Sequence, residues 1–116
     1  MTKPKAGWLM DGAKTQTDDN ELASEVIAEE EAFHKLRREG YKVLLRNYEC
    51  PLGEVSLIAK HDGRLVFVGV NKAVSEKVVS YYVKRYGMSQ VPIKLYRMNV
   101  VLVKDEKPLI SMTEED

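Results

Sequence analysis

Residues 54–71 contain two short apolar segments joined by a tight turn, and this feature constrains the fold most strongly. EVSLIAK (54–60) and LVFVGVN (65–71) alternate with a period of two, and the HDGR segment between them contains Asp-Gly, a hairpin turn signal. One predicted face carries Val55, Leu57, Ala59, Val66, Val68 and Val70. The other carries Glu54, Ser56, Ile58, Leu65, Phe67, Gly69 and Asn71. Polar residues therefore converge toward the open end of an antiparallel hairpin.

A helix is predicted ahead of the hairpin, over about residues 20–39, with Asp19 or Asn20 as a plausible N-cap. Its apolar stripe consists of Leu22, Val26, Phe33 and Leu36. Glu29 stands where this stripe would continue. Two interpretations follow: Glu29 lies at the edge of the buried face, or pairs there with a strand lysine, or it is an inward carboxylate at a functional site.

A second amphipathic helix is predicted over about residues 74–86, with Gly87 as its C′ residue. Further strands are predicted at 41–48, 93–103 and 108–112. The order of elements predicts one α/β domain, with a mixed central β-sheet flanked by the two helices. We expect this domain to span residues 19–112, after a flexible leader at 1–18 and before an acidic tail at 113–116.

Composition narrows the class of protein further. A chain of 116 residues suits one compact domain, and no apolar run approaches the roughly 18 residues that span a bilayer. The N-terminus lacks the apolar segment of a secretory signal, and the single cysteine, Cys50, can form neither an internal disulfide nor a zinc ribbon. We therefore expect a cytoplasmic protein without a membrane partner.

The net charge of zero conceals an uneven distribution. Residues 34–97 carry 13 basic and 5 acidic side chains, a net charge of +8, whereas both ends of the chain are acidic. Such a basic segment would attract a polyanion, unless its cations are scattered as a solvated coat. The candidate nucleic-acid-binding residues are Lys35, Arg38, Lys42, Arg46, Lys77, Lys84 and Arg85.

Three motifs follow a helix that carries Glu29: G-Y-K-V-L-L-R-N-Y, G-E-V-S-L-I-A and L-V-F-V-G-V-N. Over roughly residues 28–104 the chain resembles the YraN-like family of uncharacterised bacterial nuclease-like proteins. The family pattern is G-Y-x-I-L-x-R-N-x-R, G-E-I-D-L-I-A and L-V-F-V-E-V-K. This resemblance implies a restriction-endonuclease-like fold with a PD-(D/E)xK core, in which acids hold Mg²⁺ and a lysine orients or activates the attacking water.

The sequence departs from that pattern at the positions that would carry the chemistry. Glu29 and Glu54 match family acids, and the resemblance implies that they are relics of the metal site. Lys72 could replace the missing lysine only if a bulge followed Val70, because a shift by one residue turns a strand side chain to the opposite face. The degenerate positions are Ser56 and Asn99, where the family has Asp, Gly69, where it has Glu, and Asn71, where it has Lys.

Three functional hypotheses fit these departures. The first is a nuclease-like domain that binds nucleic acid, DNA rather than RNA, and has lost metal-dependent phosphodiester cleavage; it is a pseudoenzyme that needs no cofactor. The second is a protein-interaction module on a nuclease fold, with another protein or a second copy as partner. The third is an active Mg²⁺-dependent endonuclease with substitute ligands, for which a bound divalent ion would be diagnostic.

Overall fold

A computed structural model of the chain describes the backbone of residues 12–115 and the side chains of residues 23–115. Its elements, in chain order, are α1 (Gly12–Arg38), β1 (Lys42–Cys50), β2 (Gly53–His61), β3 (Arg64–Val70), α2 (Glu76–Arg85), β4 (Ile93–Val101) and β5 (Leu109–Glu115). Neither of these two helices combines the length and the apolar character needed to cross a membrane.

The five strands form one mixed sheet in the order β1-β2-β3-β4-β5. All neighbouring strands pair antiparallel except β3 and β4, which are parallel. A parallel pair needs a crossover connection, and α2 supplies it between β3 and β4. The predicted α/β class, a mixed sheet flanked by helices, is confirmed and is compatible with a restriction-endonuclease-like fold.

The two helices cover opposite faces of the sheet. Because side chains alternate along β3, Leu65 and Phe67 pack against α2, whereas Val66, Val68 and Val70 pack on the side of α1. The α1 layer also contains Leu57, Ala59, Met98 and Val100, and the α2 layer contains Val55 and Ile58 with Val74, Val78, Val79, Tyr82 and Val83 from the second helix and its approach.

The buried face of α1 differs from the predicted stripe. Ala28, Ala32 and Leu36, each four residues after the last, are nearly inaccessible to solvent, whereas Val26 is 61% exposed. The small alanine side chains let the helix lie close to the sheet, so the contact surface lies to one side of the larger apolar residues. Phe33 packs at the edge of this layer, and the side chain of Leu22 lies outside the described residues.

The ends of the domain also differ from the expected bounds. α1 begins at Gly12, so residues 12–18 of the predicted leader are helical, and residues 1–11 lie outside the described range. At the other end, β5 extends to Glu115 and pairs with β4, for example Thr113 with Arg97. Three residues of the predicted acidic tail are therefore part of the sheet.

One residue of the hairpin lies on the face opposite to the predicted one. Val55 packs in the α2 layer with Ile58, whereas Leu57 packs in the α1 layer. The strict alternation fails at this point of β2, opposite Asn47 of β1, whose φ of 54° departs from the extended conformation. Alternation alone therefore misassigned Val55.

Candidate functional site

The two predicted acids of the site lie near each other, at the junction of α1 and β2. Both acids lie beside Lys72, and the negative charge of Glu54 is one of the smaller causes of the raised pKa of Glu29. Lys72, in the loop after β3, donates a hydrogen bond from Nζ to Glu54 Oε1 at 2.8 Å. The site therefore consists of two carboxylates and one ammonium group, beside a cavity of about 150 Å³ that Glu29 and Lys72 line.

The ionisation of Glu29 reflects this setting. Partial burial raises the pKa of Glu29 above its ordinary value, the nearby Lys72 ammonium opposes that effect, and the carboxylates of Glu25 and Glu54 add to it. Burial is the largest of these causes. Lys72 thus supplies positive charge beside the two acids that the family resemblance implies as relics of a metal site.

Lys72 reaches the carboxylates because the chain turns at Asn71. Asn71 has a φ of 60°, a left-handed conformation that asparagine tolerates better than most residues, and it ends β3. In a regular strand only a bulge would bring Lys72 to the face of the acids, so the strand pattern does not predict Lys72 in the site. The asparagine itself was the signal that could have located this turn.

The side chain of Asn71 forms two hydrogen bonds with the backbone of β4. Its Nδ2 donates to the Val100 carbonyl oxygen at 3.1 Å, and its Oδ1 accepts from the Val100 N–H at 2.7 Å. Its own N–H donates to the Met98 carbonyl at 2.8 Å. The amide therefore prolongs the parallel ladder between β3 and β4 where the family resemblance predicts a catalytic lysine.

Gly69, where the family has glutamate, has no space for any side chain. A Cβ built on Gly69 would overlap the carbonyl oxygen of Lys72 and approach the carbonyl carbon of Ala73 to 3.3 Å. These atoms belong to the backbone of the loop after β3, so a rotamer change cannot relieve the overlap. The turn that brings Lys72 to Glu54 therefore fills the position of the missing acid.

Ser56, where the family has aspartate, is 2% exposed. Its Oγ accepts a hydrogen bond from the Val70 N–H at 3.0 Å. The backbone register between β2 and β3 ends at Leu57 with Val68, so the hydroxyl satisfies an N–H that lies beyond the last paired residues. Ser56 thus has a structural role in the described contacts.

Asn99, the fourth degenerate position, lies between Met98 and Val100 on β4, and both neighbours pack in the α1 layer. Strand alternation directs Asn99 to the opposite face, away from Glu29 and Glu54. Among the side chains from 23 to 115, no three His, Cys, Asp or Glu residues are grouped so that they could hold a metal ion.

These residues do not fit the Mg²⁺ that the family resemblance implies. Mg²⁺ prefers a near-octahedral set of oxygen ligands. Here one of the two carboxylates accepts a hydrogen bond from an ammonium group, and the polar side chains of Ser56 and Asn71 are bonded to backbone groups. The closed position at Gly69 removes the place for a third carboxylate.

The seven predicted nucleic-acid-binding residues divide between the two faces of the molecule. Lys35 and Arg38 belong to α1, and Arg46 of β1 reaches α1 through a 2.6 Å ion pair with Glu30. Lys35 is also paired, with Glu39 at 2.6 Å. Lys42 lies at the start of β1, and the other three, Lys77, Lys84 and Arg85, lie on α2 across the sheet. The seven residues therefore do not form one continuous patch.

The fold is that of a small α/β protein, compatible with the restriction-endonuclease-like type, and the residues around Glu29 and Glu54 lack the ligand set of the family pattern. Comparison with known proteins places it more closely. The model of the uncharacterised protein family UPF0102 matches residues 28–85, and the chain belongs to this family, which is the YraN-like family named above.

Individual relatives in the same family show how far the similarity extends. The UPF0102 protein of Lachnoclostridium phytofermentans is 43% identical over 51 residues, 44% of this chain and 43% of that protein. The UPF0102 protein of Pseudothermotoga lettingae is 48% identical over 48 residues, 41% of this chain and 45% of that protein. The UPF0102 protein of Caldicellulosiruptor saccharolyticus is 33% identical over 93 residues, 65% of this chain and 76% of that protein. The chain thus matches less than half of the first two relatives and about three quarters of the third.

Proposed function

We propose that this protein binds nucleic acid and does not hydrolyse it. The observation that carries the proposal is the position of the Lys72 carbonyl oxygen, which fills the space where a side chain at residue 69 would begin. A carboxylate cannot be supplied from that position without moving the loop that also carries Asn71 and Lys72. Backbone atoms thus occupy the place of the third acid, so the difference from the family pattern is more than the replacement of one side chain.

The chemistry of phosphodiester cleavage supports the same conclusion. Hydrolysis requires stabilisation of the developing charge on the phosphoryl oxygens and a nucleophile that is available at neutral pH. In this chain Glu54 accepts a hydrogen bond from Lys72, and the side chains of Ser56 and Asn71 form hydrogen bonds with backbone groups. Two carboxylates, one of them paired with Lys72, are a poor ligand set for a divalent ion, and this supports the proposed loss of cleavage.

Charge supports the binding part of the proposal. The segment from 34 to 97 carries a net charge of +8, but its candidate cations do not form one patch. The support therefore comes from the three candidate cations of α2, which form no ion pair among the described side chains. Unpaired lysines and arginines on one helix can neutralise phosphates without first breaking an internal contact. DNA is the first ligand to test, because a protein related to nuclease-like proteins is expected to contact the phosphate backbone of DNA.

The proposal is tested with the full chain and labelled duplex, branched and single-stranded DNA, each with and without Mg²⁺ or Mn²⁺. We expect binding that weakens steeply with salt, no cleavage, and no increase in melting temperature on addition of either ion. Cleavage that Glu54→Ala abolishes, while Glu106→Ala in an exposed turn does not, would contradict the loss of activity. Binding that is absent, or insensitive to salt, would contradict the nucleic-acid role.

A protein-contact role is the second candidate, and the exposed part of α1 favours it. Residues 23–27 are all exposed although they are helical, and they include Val26 at 61% and Ile27 at 49% exposure. Two adjacent apolar side chains that stay exposed among the described residues could be buried against a partner surface. A second copy or another protein bound there, with no affinity for DNA, would favour this candidate.

A further inference from the structure

α2 carries a shallow groove on its outer face, away from the acid site. The groove has a volume of about 460 Å³, and its lining residues are Leu52, Glu76, Lys77, Ser80, Tyr81 and Lys84. Leu52, in the turn between β1 and β2, is 54% exposed and forms one wall. The groove therefore combines cations, an aromatic ring, a hydroxyl group and an exposed apolar side chain on a ten-residue helix.

The spacing of these residues places the ring between the cations. Lys77 and Lys84 are seven residues apart, so they lie on the same side of α2 with their Cα atoms about 10.5 Å apart. Tyr81 is four residues after Lys77 and three before Lys84, and it is only partly buried. The order along this side of the helix is therefore cation, ring, cation.

We infer that this groove binds single-stranded nucleic acid, with one base stacked on Tyr81 and flanking phosphates on Lys77 and Lys84. The inference rests on the proposed function and specifies its ligand and surface. An aromatic ring within a cationic groove is the usual means by which proteins hold unpaired bases, because every base offers a π-face to stack on. Bases inside a duplex do not expose that face, so a stacking ring has little to contact there.

The surrounding charges are consistent with a phosphate ligand. Arg85 follows Lys84 on the same helix, with its guanidinium 5.8 Å from the centre of the Tyr86 ring. Glu76 lines the groove at the N-terminal end of α2 and is its only carboxylate among the lining residues, so the cationic part extends from Lys77 toward the C-terminal end of the helix. On the other face, by contrast, Lys35 and Arg46 are held by glutamates.

The test measures binding of the full chain to a labelled single-stranded oligonucleotide by fluorescence anisotropy over a range of salt concentrations. Lys77→Gln with Lys84→Gln should reduce the slope of log K against log salt by about 1.4, since each lost single-strand phosphate contact removes about 0.7. The matched control is Lys104→Gln with Lys107→Gln, which removes the same charge from the exposed loop between β4 and β5, outside the groove, and should leave the slope unchanged.

Substitution of Tyr81 tests the stacking separately. Tyr81→Phe keeps the ring and should bind like the wild type, whereas Tyr81→Leu should weaken single-strand binding about tenfold and duplex binding much less. A circular dichroism spectrum of each variant confirms that α2 is intact. Equal losses for Phe and Leu, or no loss for Leu, would contradict stacking.

The outcomes separate this inference from the function on which it rests. Salt-dependent binding that the two α2 lysine substitutions leave unchanged would overturn the groove and retain nucleic-acid binding. Absence of binding to single strands and to duplex would overturn both. Competition by poly-glutamate that is as strong as competition by an unlabelled oligonucleotide would indicate an acidic protein segment as ligand and would also overturn the inference.

Discussion

The side chain of Asn71 pairs with the backbone of Val100 as a peptide group would. Its amide donates to the Val100 carbonyl and accepts from the Val100 N–H, at 3.1 and 2.7 Å. The backbone of Asn71 has a left-handed conformation and not that of a strand. Its side chain therefore forms the hydrogen bonds to Val100 that the main chain of a continuing strand would form. Asn71, which stands where the family has lysine, thus fixes the start of the loop after β3, and Lys72 is the next residue of that loop.

Asn71→Ala should destabilise the protein through the loss of this pair. Two part-buried hydrogen bonds at about 1 kcal/mol each predict a loss of about 2 kcal/mol beyond the cost of placing alanine at a positive φ. Asp105→Ala is the matched control, because Asp105 is exposed and has nearly the same φ, 62°. Urea denaturation measures both; equal losses for the two variants would mean that the amide pairing contributes nothing.

Gly69→Ala should force the loop after β3 away from its position, since the new Cβ meets the Lys72 carbonyl oxygen. If the loop moves, the bonds between Asn71 and Val100 are already lost, and adding Asn71→Ala should cost much less than the roughly 2 kcal/mol expected in the wild type. In a Gly63→Ala background, where the added Cβ meets nothing within 4 Å, Asn71→Ala should retain its full effect. Additive losses in the Gly69→Ala background would show that the loop tolerates a side chain.

The position of the loop after β3 also determines what restoring the family residues should do. The triple variant Ser56→Asp, Gly69→Glu and Asn71→Lys should be less stable than the wild type and should not gain affinity for Mn²⁺, as measured by calorimetry. Tight Mn²⁺ binding by a folded triple variant would instead show that the backbone can still form a nuclease-like metal site when the loop after β3 moves. The single variant Asn71→Lys, measured alongside, reports how much of the instability the lost amide pairing causes.

The sequence allowed the sheet and the helices to be predicted, because these depend on patterns that repeat along the chain. Period-two alternation located β2 and β3, and the resemblance located Glu29 and Glu54. Single residues with unusual contacts were not predictable in the same way. The turn at Asn71, which turns Lys72 toward Glu54, depends on one left-handed residue, and the exposure of Val26 depends on how closely Ala28 and Ala32 approach the sheet.

Ser56→Ala should leave the buried Val70 N–H without its acceptor. An unsatisfied buried donor costs about 1–3 kcal/mol, so the free energy of unfolding should fall by that amount. Ser111→Ala, on the exposed side of β5, should change it by less than about 0.5 kcal/mol. If both variants unfold at the same urea concentration as the wild type, the Ser56 hydroxyl is dispensable and its burial needs another explanation.

Neighbouring glutamates on α1 should respond to pH in opposite directions. Burial raises the pKa of Glu29, so its ionised form destabilises the folded state above that pKa, and Glu29→Gln should stabilise the protein at neutral pH. The hydrogen bond from Arg46 lowers the pKa of Glu30, so its ionised form stabilises the folded state, and Glu30→Gln should destabilise the protein at neutral pH. Both differences from the wild type should shrink as the pH falls through the pKa of each group, because the wild-type carboxyls then become neutral too.

Urea denaturation of the two variants and the wild type, at neutral pH and at about pH 3, measures this reversal of sign. Each variant is the control for the other, because both remove one negative charge from adjacent positions of the same helix. A general effect of net charge would move both variants in the same direction at neutral pH. That result would contradict the assignment of Glu29 to a partly desolvated site compensated by Lys72.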